Sequence, residues 1–159
     1  MTHEDYMKEA LVLAREAGTA GEVPVGCVIV RDGEIIARGR NRREEDQNAL
    51  AHAELEAIRE ACRNLGGWRL SRCRLYVTLE PCPMCAGGII SARIPEVYYG
   101  AKDSGIGACG SILNLFEEGF RHHPKLVGGI LEEECKQELT QFFQNLRKKE
   151  DKKEDLKLL

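Results

Sequence analysis

Apolar residues recur along this chain with two different periods, which predict helices and strands. Near the start, helical spacing predicts an amphipathic helix whose apolar positions are Tyr6, Ala10, Leu11, Ala14 and Ala17. Thr2 and Asp5 ahead of it are typical of a capping box, and Gly18 ends the run. We therefore expect the chain to open with a helix.

A β-hairpin is predicted next. The segment from Val25 to Val30 is apolar and β-branched, and Glu34 to Arg40 continues as a second strand. Asp32-Gly33 lies between the two strands and is a strong signal for a tight turn.

Beyond the hairpin, helices and strands alternate. The pattern predicts helices at 52–64, 83–92 and 131–147, and strands at 75–79, 97–99 and 126–129. Gly66-Gly67 would end the first of these helices, and Pro83 suits the first turn of the next. Because this order mixes antiparallel and crossover connections, we expect an α/β fold with one mixed five-stranded sheet covered by helices.

The length of 159 residues is that of one domain, and no internal repeat is present. We place this domain at residues 1–149. Residues 150–159 alternate lysines with acidic residues, and we predict that this charged tail is disordered.

The composition, 43% hydrophobic and 31% charged, is typical of a soluble globular protein. No apolar run is long enough to span a bilayer, so we expect no membrane partner. The first residues are acidic, unlike the basic start and apolar stretch of a secretory signal, which predicts a cytoplasmic location.

Seven cysteines are present, an odd number that does not resemble a disulfide framework. We expect reduced thiols. Five of them are interpreted as small buried apolar residues without a metal role: Cys27, Cys62, Cys73, Cys109 and Cys135.

A net charge of −3 argues weakly against a nucleic-acid partner, because affinity for phosphates usually comes from a cationic surface. Two basic clusters nevertheless occur, one between Arg38 and Arg43 and one between Arg147 and Lys153. From charge alone, a solvated surface is the favoured interpretation of both.

Two short motifs indicate a metal site. His52-Ala53-Glu54 and Pro81-Cys82-Pro83-Met84-Cys85 each precede or open a predicted helix. The imidazole of His52 and the thiolates of Cys82 and Cys85 would give Zn²⁺ three ligands and leave the fourth tetrahedral position for water, as in a catalytic site. Glu54, which is not needed as a ligand, suits a proton shuttle between that water and a substrate nitrogen.

Helix starts favour this chemistry. The positive end of a helix dipole stabilises thiolate, and with the metal charge it lowers the pKa of bound water toward neutrality. Glu54 lies two positions after His52, and side chains with that spacing do not face each other inside a helix. We therefore expect them to converge only because both lie at the helix terminus.

The His-x-Glu and Pro-Cys-x-x-Cys motifs resemble those of the zinc-dependent deaminases of nucleobases. Within that group, the chain resembles the tRNA-specific adenosine deaminases along nearly its whole length, to about Lys149. The segments that carry this resemblance are Glu22-Val23-Pro24-Val25-Gly26, Gly39-Arg40-Asn41, Trp68-Arg69-Leu70 and the region from Gly100 to Ser111. The resemblance implies a three-layer α/β/α cytidine-deaminase-like fold for the 1–149 domain, one zinc ion per subunit and a homodimer.

The implied reaction is hydrolytic deamination of adenosine to inosine at the wobble position of a tRNA anticodon. Zinc-bound hydroxide would attack C6 of adenine, while Glu54 moves a proton to N1 and assists departure of the amino group. Asn41 matches a base-edge contact, Val25 would line the pocket, and the backbone N–H of Ala53 would also meet the base edge.

Other implied contacts involve the anticodon stem-loop. Asp103 matches a position near the sugar of the target nucleotide, although without the resemblance a loop turn residue would be the favoured interpretation. Phe142, Phe143 and Arg147 match a terminal helix that grips the loop by stacking and by phosphate contact. For the two phenylalanines, packing in the core is an equal alternative.

Two other functions remain open. A deaminase of a free nucleobase or nucleotide, of the guanine or cytosine type, would share every residue of the zinc site. A non-catalytic RNA-binding module stabilised by zinc would instead need a fourth protein ligand, for which Cys73 and Cys109 are candidates.

Overall fold

The computed structural model describes residues 1–158. Within them the helices are α1 (His3–Thr19), α2 (Ala53–Leu65), α3 (Pro83–Ser91) and α4 (Glu132–Lys157), and the strands are β1 (Gly26–Arg31), β2 (Glu34–Arg40), β3 (Cys73–Leu79), β4 (Glu96–Ala101) and β5 (Lys125–Val127). One 3₁₀ turn covers Leu115–Glu117.

The five strands form a single mixed sheet in the order β2-β1-β3-β4-β5. β1 pairs antiparallel with β2 and with β3, whereas the β3–β4 and β4–β5 pairs are parallel. The predicted mixed five-stranded sheet is therefore confirmed.

Alternating side chains of the strands form two cores. Cys27, Ile29, Leu75 and Val77 pack on the face covered by α2 and α3. Val28, Val30 and Tyr76 pack on the other face, against α1 and residues of α4. Because successive strand residues point to opposite faces, both sides of the sheet are buried, and the molecule has the three α/β/α layers expected.

Local sequence signals account for most element ends. The Thr2 hydroxyl accepts from the Asp5 N–H at 3.1 Å and the Asp5 carboxylate accepts from the Thr2 N–H at 2.9 Å, which confirms the capping box. Asp32 and Gly33 both have positive φ, as the hairpin turn requires. Gly66 ends α2 in the left-handed conformation.

The charged tail differs from its prediction. α4 continues without interruption through Lys157, with every side chain from 147 to 157 exposed. Lysine and glutamate are good helix formers, and a helix already nucleated by packing extends at little cost. The disorder predicted for 150–159 is therefore wrong for residues 150–157.

Segments far apart in sequence meet at one end of the sheet. β3 and β4 run parallel and end at Leu79 and Ala101, beside the start of β1 and the end of β2, since Cys27 pairs with Val77 and Gly26 pairs with Arg40. The crevice beyond the carboxyl ends of parallel strands is the usual place for a ligand in an α/β fold.

None of the helices described between residues 1 and 158 is both long and apolar enough to cross a membrane.

Candidate active site

His52, Cys82 and Cys85 form a cluster that fits zinc. The Nδ1 atom of His52 lies 3.6 Å from Sγ of Cys82 and 3.5 Å from Sγ of Cys85. Zinc bonds of about 2.3 Å to sulfur and about 2.0 Å to nitrogen, at tetrahedral angles, would place nitrogen and sulfur about 3.5 Å apart. The nitrogen of His52 therefore already has the spacing from both sulfurs that the ion requires, and all three ligand atoms lie within 4.8 Å of one another.

Within residues 1–158, no fourth His, Cys, Asp or Glu side chain joins this cluster. Cys73 and Cys109 are buried elsewhere in the core, so neither supplies the fourth ligand that a purely structural zinc site would need. Cys27 and Cys135 are also buried, as predicted, whereas Cys62 is only partly buried. Three ligands around a tetrahedral ion leave one position for water or substrate.

The ligands lie at two helix starts. His52 is the N-cap residue of α2, Cys82 is the N-cap residue of α3, and Cys85 lies in the first turn of α3 behind Pro83. Gly39 of β2 lets α2 approach this closely, because a Cβ at that position would overlap the backbone oxygen of Ala53. Exposed N–H groups at the two helix starts favour negative charge on the sulfurs.

One sulfur of the cluster is held as thiolate. A hydrogen bond from the Cys85 thiol, and then one from His52, lower the pKa of Cys82 to about 4 despite its burial. The same contact with Cys82, together with burial, raises the pKa of Cys85. Thiolate is the form of cysteine that binds zinc, and binding of the ion releases the second proton.

Glu54 lies beside the cluster in the first turn of α2 and is only 4% exposed. Burial, with a further contribution from the charge of Cys82, raises the pKa of Glu54 to about 7, although a backbone hydrogen bond and His52 oppose the shift. A carboxyl group that exchanges its proton near neutral pH suits general acid–base chemistry.

A cavity of about 170 Å³ opens onto these groups. It is lined by His52, Glu54 and Cys82, and by three of the predicted substrate residues: Val25, Asn41 and Asp103. Five further lining residues were not assigned from the sequence: Val23, Arg43, Leu79, Glu80 and Ile106. The sequence could have indicated them only through their closeness to assigned residues in the chain. Glu80, for example, lies two positions before Cys82.

Asn41 is held in place by the backbone. Its Nδ2 donates to the carbonyl of Val23 at 3.1 Å, and its Oδ1 accepts from the N–H of Ala53 at 3.0 Å. The Ala53 N–H, predicted to meet a substrate, is thus used inside the protein to orient Asn41. One amide hydrogen and one oxygen lone pair of Asn41 are left over by these two bonds.

Glu80 organises the opposite side of the cavity. Its carboxylate, 2% exposed, accepts from the backbone N–H groups of Asp103, Cys109 and Ser111 at 3.0–3.1 Å, and also from the Ser111 hydroxyl. Burial alone would raise the pKa of Glu80, but these hydrogen bonds together lower it. The loop from Asp103 to Ser111 is therefore anchored on a carboxylate next to the metal-ligating segment.

Asp103 has a local role as well as its place in the cavity wall. Its Oδ1 accepts from the N–H groups of Gly105 and Ile106 at 3.1 and 3.3 Å. These bonds are those of an Asx turn, so the turn interpretation of Asp103 is supported by its contacts.

A second cavity of about 310 Å³ adjoins the first. Val23, Asn41 and Arg43 line both, and the second cavity is also lined by Glu22, Phe142, Phe143 and Leu146. The two phenyl rings meet edge to face at 5.4 Å; Phe142 is partly buried, whereas Phe143 is 43% exposed. The exposed Arg147 lines neither cavity.

Comparisons with known proteins agree with this geometry. A family model described as the cytidine and deoxycytidylate deaminase zinc-binding region matches residues 1–101. The tRNA-specific adenosine deaminase of Bacillus subtilis (strain 168) is 52% identical over 151 residues, which cover 94% of each chain.

Two solved structures are also similar. One, from a study of A-to-I editing by tRNA:A34 deaminases at the wobble position of transfer RNA, is 48% identical with a TM-score of 0.82, and the match covers 85% of this chain and 99% of that one. A guanine deaminase from Bacillus subtilis is 38% identical with a TM-score of 0.64, covering 77% of this chain and 89% of the other. The chain therefore belongs to the cytidine and deoxycytidylate deaminase family and, within it, to the tRNA-specific adenosine deaminases.

Proposed function

We propose that the protein hydrolyses adenosine to inosine at the wobble position of a tRNA anticodon, releasing ammonia. The observation that carries this proposal is the position of Glu54, a buried carboxyl group with a pKa of about 7, beside a three-ligand zinc site at the base of a small cavity. The relatives at 48–52% identity named above support the choice of substrate.

The zinc ion, held by His52, Cys82 and Cys85, would supply the activation of water at neutral pH. Glu54 provides the proton transfers. It accepts a proton from the attacking water, donates it to N1 of adenine, and then assists loss of the amino group from C6. A carboxyl group with a pKa near the working pH can perform both the accepting and the donating step.

Asn41 would read the edge of the base. Its amide orientation is set by Val23 and Ala53, and it lines the same cavity as Glu54. A preoriented amide loses little freedom when it binds, so it can place the base before reaction. Val25 would pack against the plane of the base, and Asp103 would lie near its sugar.

The adjoining cavity supports an RNA substrate over a free base. A free nucleobase needs only the smaller cavity, whereas a nucleotide loop needs space for the neighbours of the target. Phe142 and Phe143 would stack with such neighbours, and Arg43 or Arg147 would meet phosphate.

The test compares substrates. An anticodon stem-loop with adenosine at the wobble position should yield inosine, while free adenosine, cytidine and guanine should release little ammonia. Turnover of guanine or cytidine with no inosine in the stem-loop would replace the proposal with the free-base alternative.

We also infer that the enzyme is a homodimer, as the family resemblance implies, and that it acts in the cytoplasm. The apolar side chains of Leu50, Ile112 and Leu113 are 57%, 63% and 41% exposed, which a second copy could cover. The seven free thiols fit a reducing compartment. Light scattering after size exclusion should give twice the 17.8 kDa chain mass, and a monomer at all concentrations would contradict the dimer.

A further inference from the structure

The last three turns of α4 carry charges that are sorted by face. Lys149, Lys153 and Lys157 follow one another at four-residue spacing, so they lie on one face of the helix and form what we name the lysine stripe. The acidic residues form two rows with the same spacing: Glu150 and Glu154 lie directly beside the lysine stripe, whereas Asp151 and Asp155 lie on the opposite side of the helix.

Helix stability does not explain this arrangement. Like charges four residues apart destabilise a helix, and opposite charges at the same spacing would stabilise it. Oppositely charged residues three apart, such as Glu150 and Lys153, offset part of the cost. A face with one sign of charge is therefore better explained by contact with something of the opposite sign.

The lysine stripe continues the face by which α4 contacts the rest of the protein. Cys135 is buried on this face and Leu146 lines the second cavity, beside Asn41 and Arg43. The three lysines follow Leu146 by three, seven and eleven residues, all same-face spacings. At about 1.5 Å per residue, the stripe reaches about 16 Å beyond Leu146, away from the cavity.

The lysine ammonium groups are available for binding. All three side chains are exposed, and none of the ion pairs described between residues 1 and 158 involves a lysine. The chain as a whole has a net charge of −3, so attraction for a polyanion must come from local surfaces. Glu150 and Glu154 are the acidic residues that border the stripe.

We propose that the lysine stripe binds the phosphate backbone of the RNA stem that carries the target loop. This proposal rests on the proposed function, because the cavities must first hold the loop. With loop bases in the second cavity, the stem would lie past Leu146, along the stripe. Lysine binds phosphate as a point charge, so the contact would add affinity and orientation without reading sequence.

The chain offers a matched control for the test. Lys149→Gln/Lys153→Gln removes two positive charges at four-residue spacing from the stripe. Lys148→Gln/Lys152→Gln removes the same charge at the same spacing from the side of α4 that faces away from Leu146. All four positions are exposed, and circular dichroism would verify that both variants retain their helix content.

Inosine formation is measured in an anticodon stem-loop and in a linear strand with the same loop sequence but no stem. On the stem-loop, the stripe variant should raise KM about three- to tenfold with kcat unchanged. It should also reduce the slope of log(kcat/KM) against log salt by about 1.5, because each phosphate that a lysine no longer neutralises lowers the slope by roughly 0.7–0.9. The control variant should match the wild type, and on the linear strand all three proteins should behave alike.

Equal effects of the two variants on the stem-loop would overturn the proposal, because only net charge would then matter. An equal loss on the linear strand would place the contact on the loop instead of the stem and would also overturn it. If the wild type makes no inosine in either RNA, the proposed function itself fails. If the wild type makes inosine and the stripe variant has the same KM on the stem-loop, only the proposal for the lysine stripe fails.

Discussion

The carboxylate of Glu80 holds Ser111 through two groups at once: the backbone N–H of Ser111 donates to Oε2 at 3.0 Å, and its hydroxyl donates to Oε1. The two residues are 31 positions apart. Glu80 precedes the metal-ligating segment, and Ser111 closes the loop that begins at Asp103. One buried side chain therefore couples the position of the zinc ligands to one wall of the active-site cavity.

Glu80→Gln should destabilise the protein and weaken catalysis. The amide replaces one acceptor oxygen with a donor that faces other donors, and each buried group left without a partner costs about 1–3 kcal/mol. We expect a lower midpoint of thermal unfolding, and a lower kcat/KM on the stem-loop because Asp103 and Ile106 lose their support. Calorimetry and single-turnover kinetics would measure the two effects.

Ser111→Ala is the graded comparison for that variant. It removes only the hydroxyl donor and leaves the carboxylate with its three backbone partners. Its effects should be smaller than those of Glu80→Gln in both measurements. A Glu80→Gln protein as stable and as active as the wild type would show that the network does not support the site.

How far the sequence predicted the molecule depends on the distance over which each signal acts. The capping residues Thr2 and Asp5, the Asp32-Gly33 turn and the helix end at Gly66 act within a few positions, and all were predicted. The cluster of His52, Cys82 and Cys85 was also predicted, because metal ligands follow restricted spacings.

The remaining features depend on the fold as a whole. Glu80 contacts residues 23 to 31 positions away, and no local pattern indicates which backbone groups a carboxylate will meet. The Ala53 N–H was predicted to face substrate, yet the β2–α2 packing places Asn41 against it. The charge pattern of the tail predicts disorder, but α4, once nucleated by packing at Cys135 and Leu139, extends through it.

Glu54→Gln should abolish turnover while zinc and fold are retained. The amide has nearly the same shape but cannot carry the proton, and loss of a general acid–base group costs about 10²–10⁴-fold in rate. The measurements are inosine formation and zinc content per chain. Glu56→Gln, two residues further along α2 and outside the cavity, is the control and should keep full activity.

A Glu54→Gln protein with wild-type kcat would remove the proton-shuttle role. Loss of zinc in the same variant would instead indicate that the carboxylate supports metal binding.

Replacing cysteines separately should divide them into two groups. Cys82→Ala or Cys85→Ala should lower zinc to well below one ion per chain, because each removes one of the three ligands. Cys73→Ala and Cys109→Ala should keep about one ion and most of the activity, with only a modest loss of stability from the small cavity left behind. Zinc content is measured by elemental analysis of the purified variants. Loss of zinc from Cys109→Ala would contradict the three-ligand site and favour a structural site with four protein ligands.

Asn41→Ala should reduce both stability and kcat/KM. Removing the amide leaves the buried N–H of Ala53 without its partner, which costs about 1–3 kcal/mol. The carbonyl of Val23 keeps the N–H of Val25 as a donor but loses the side-chain N–H of Asn41. Because the N–H belongs to the first residue of α2, the neighbouring His52 and Glu54 lose part of their positioning.

Asn64→Ala provides the comparison. Asn64 also donates to a backbone carbonyl, that of Ile36 at 2.8 Å, but it lies at an exposed position outside the active-site cavity. Unfolding in urea and stem-loop kinetics should show a loss in both quantities for Asn41→Ala and little change for Asn64→Ala. Equal kcat/KM values for the two variants would mean that Asn41 does not orient the base.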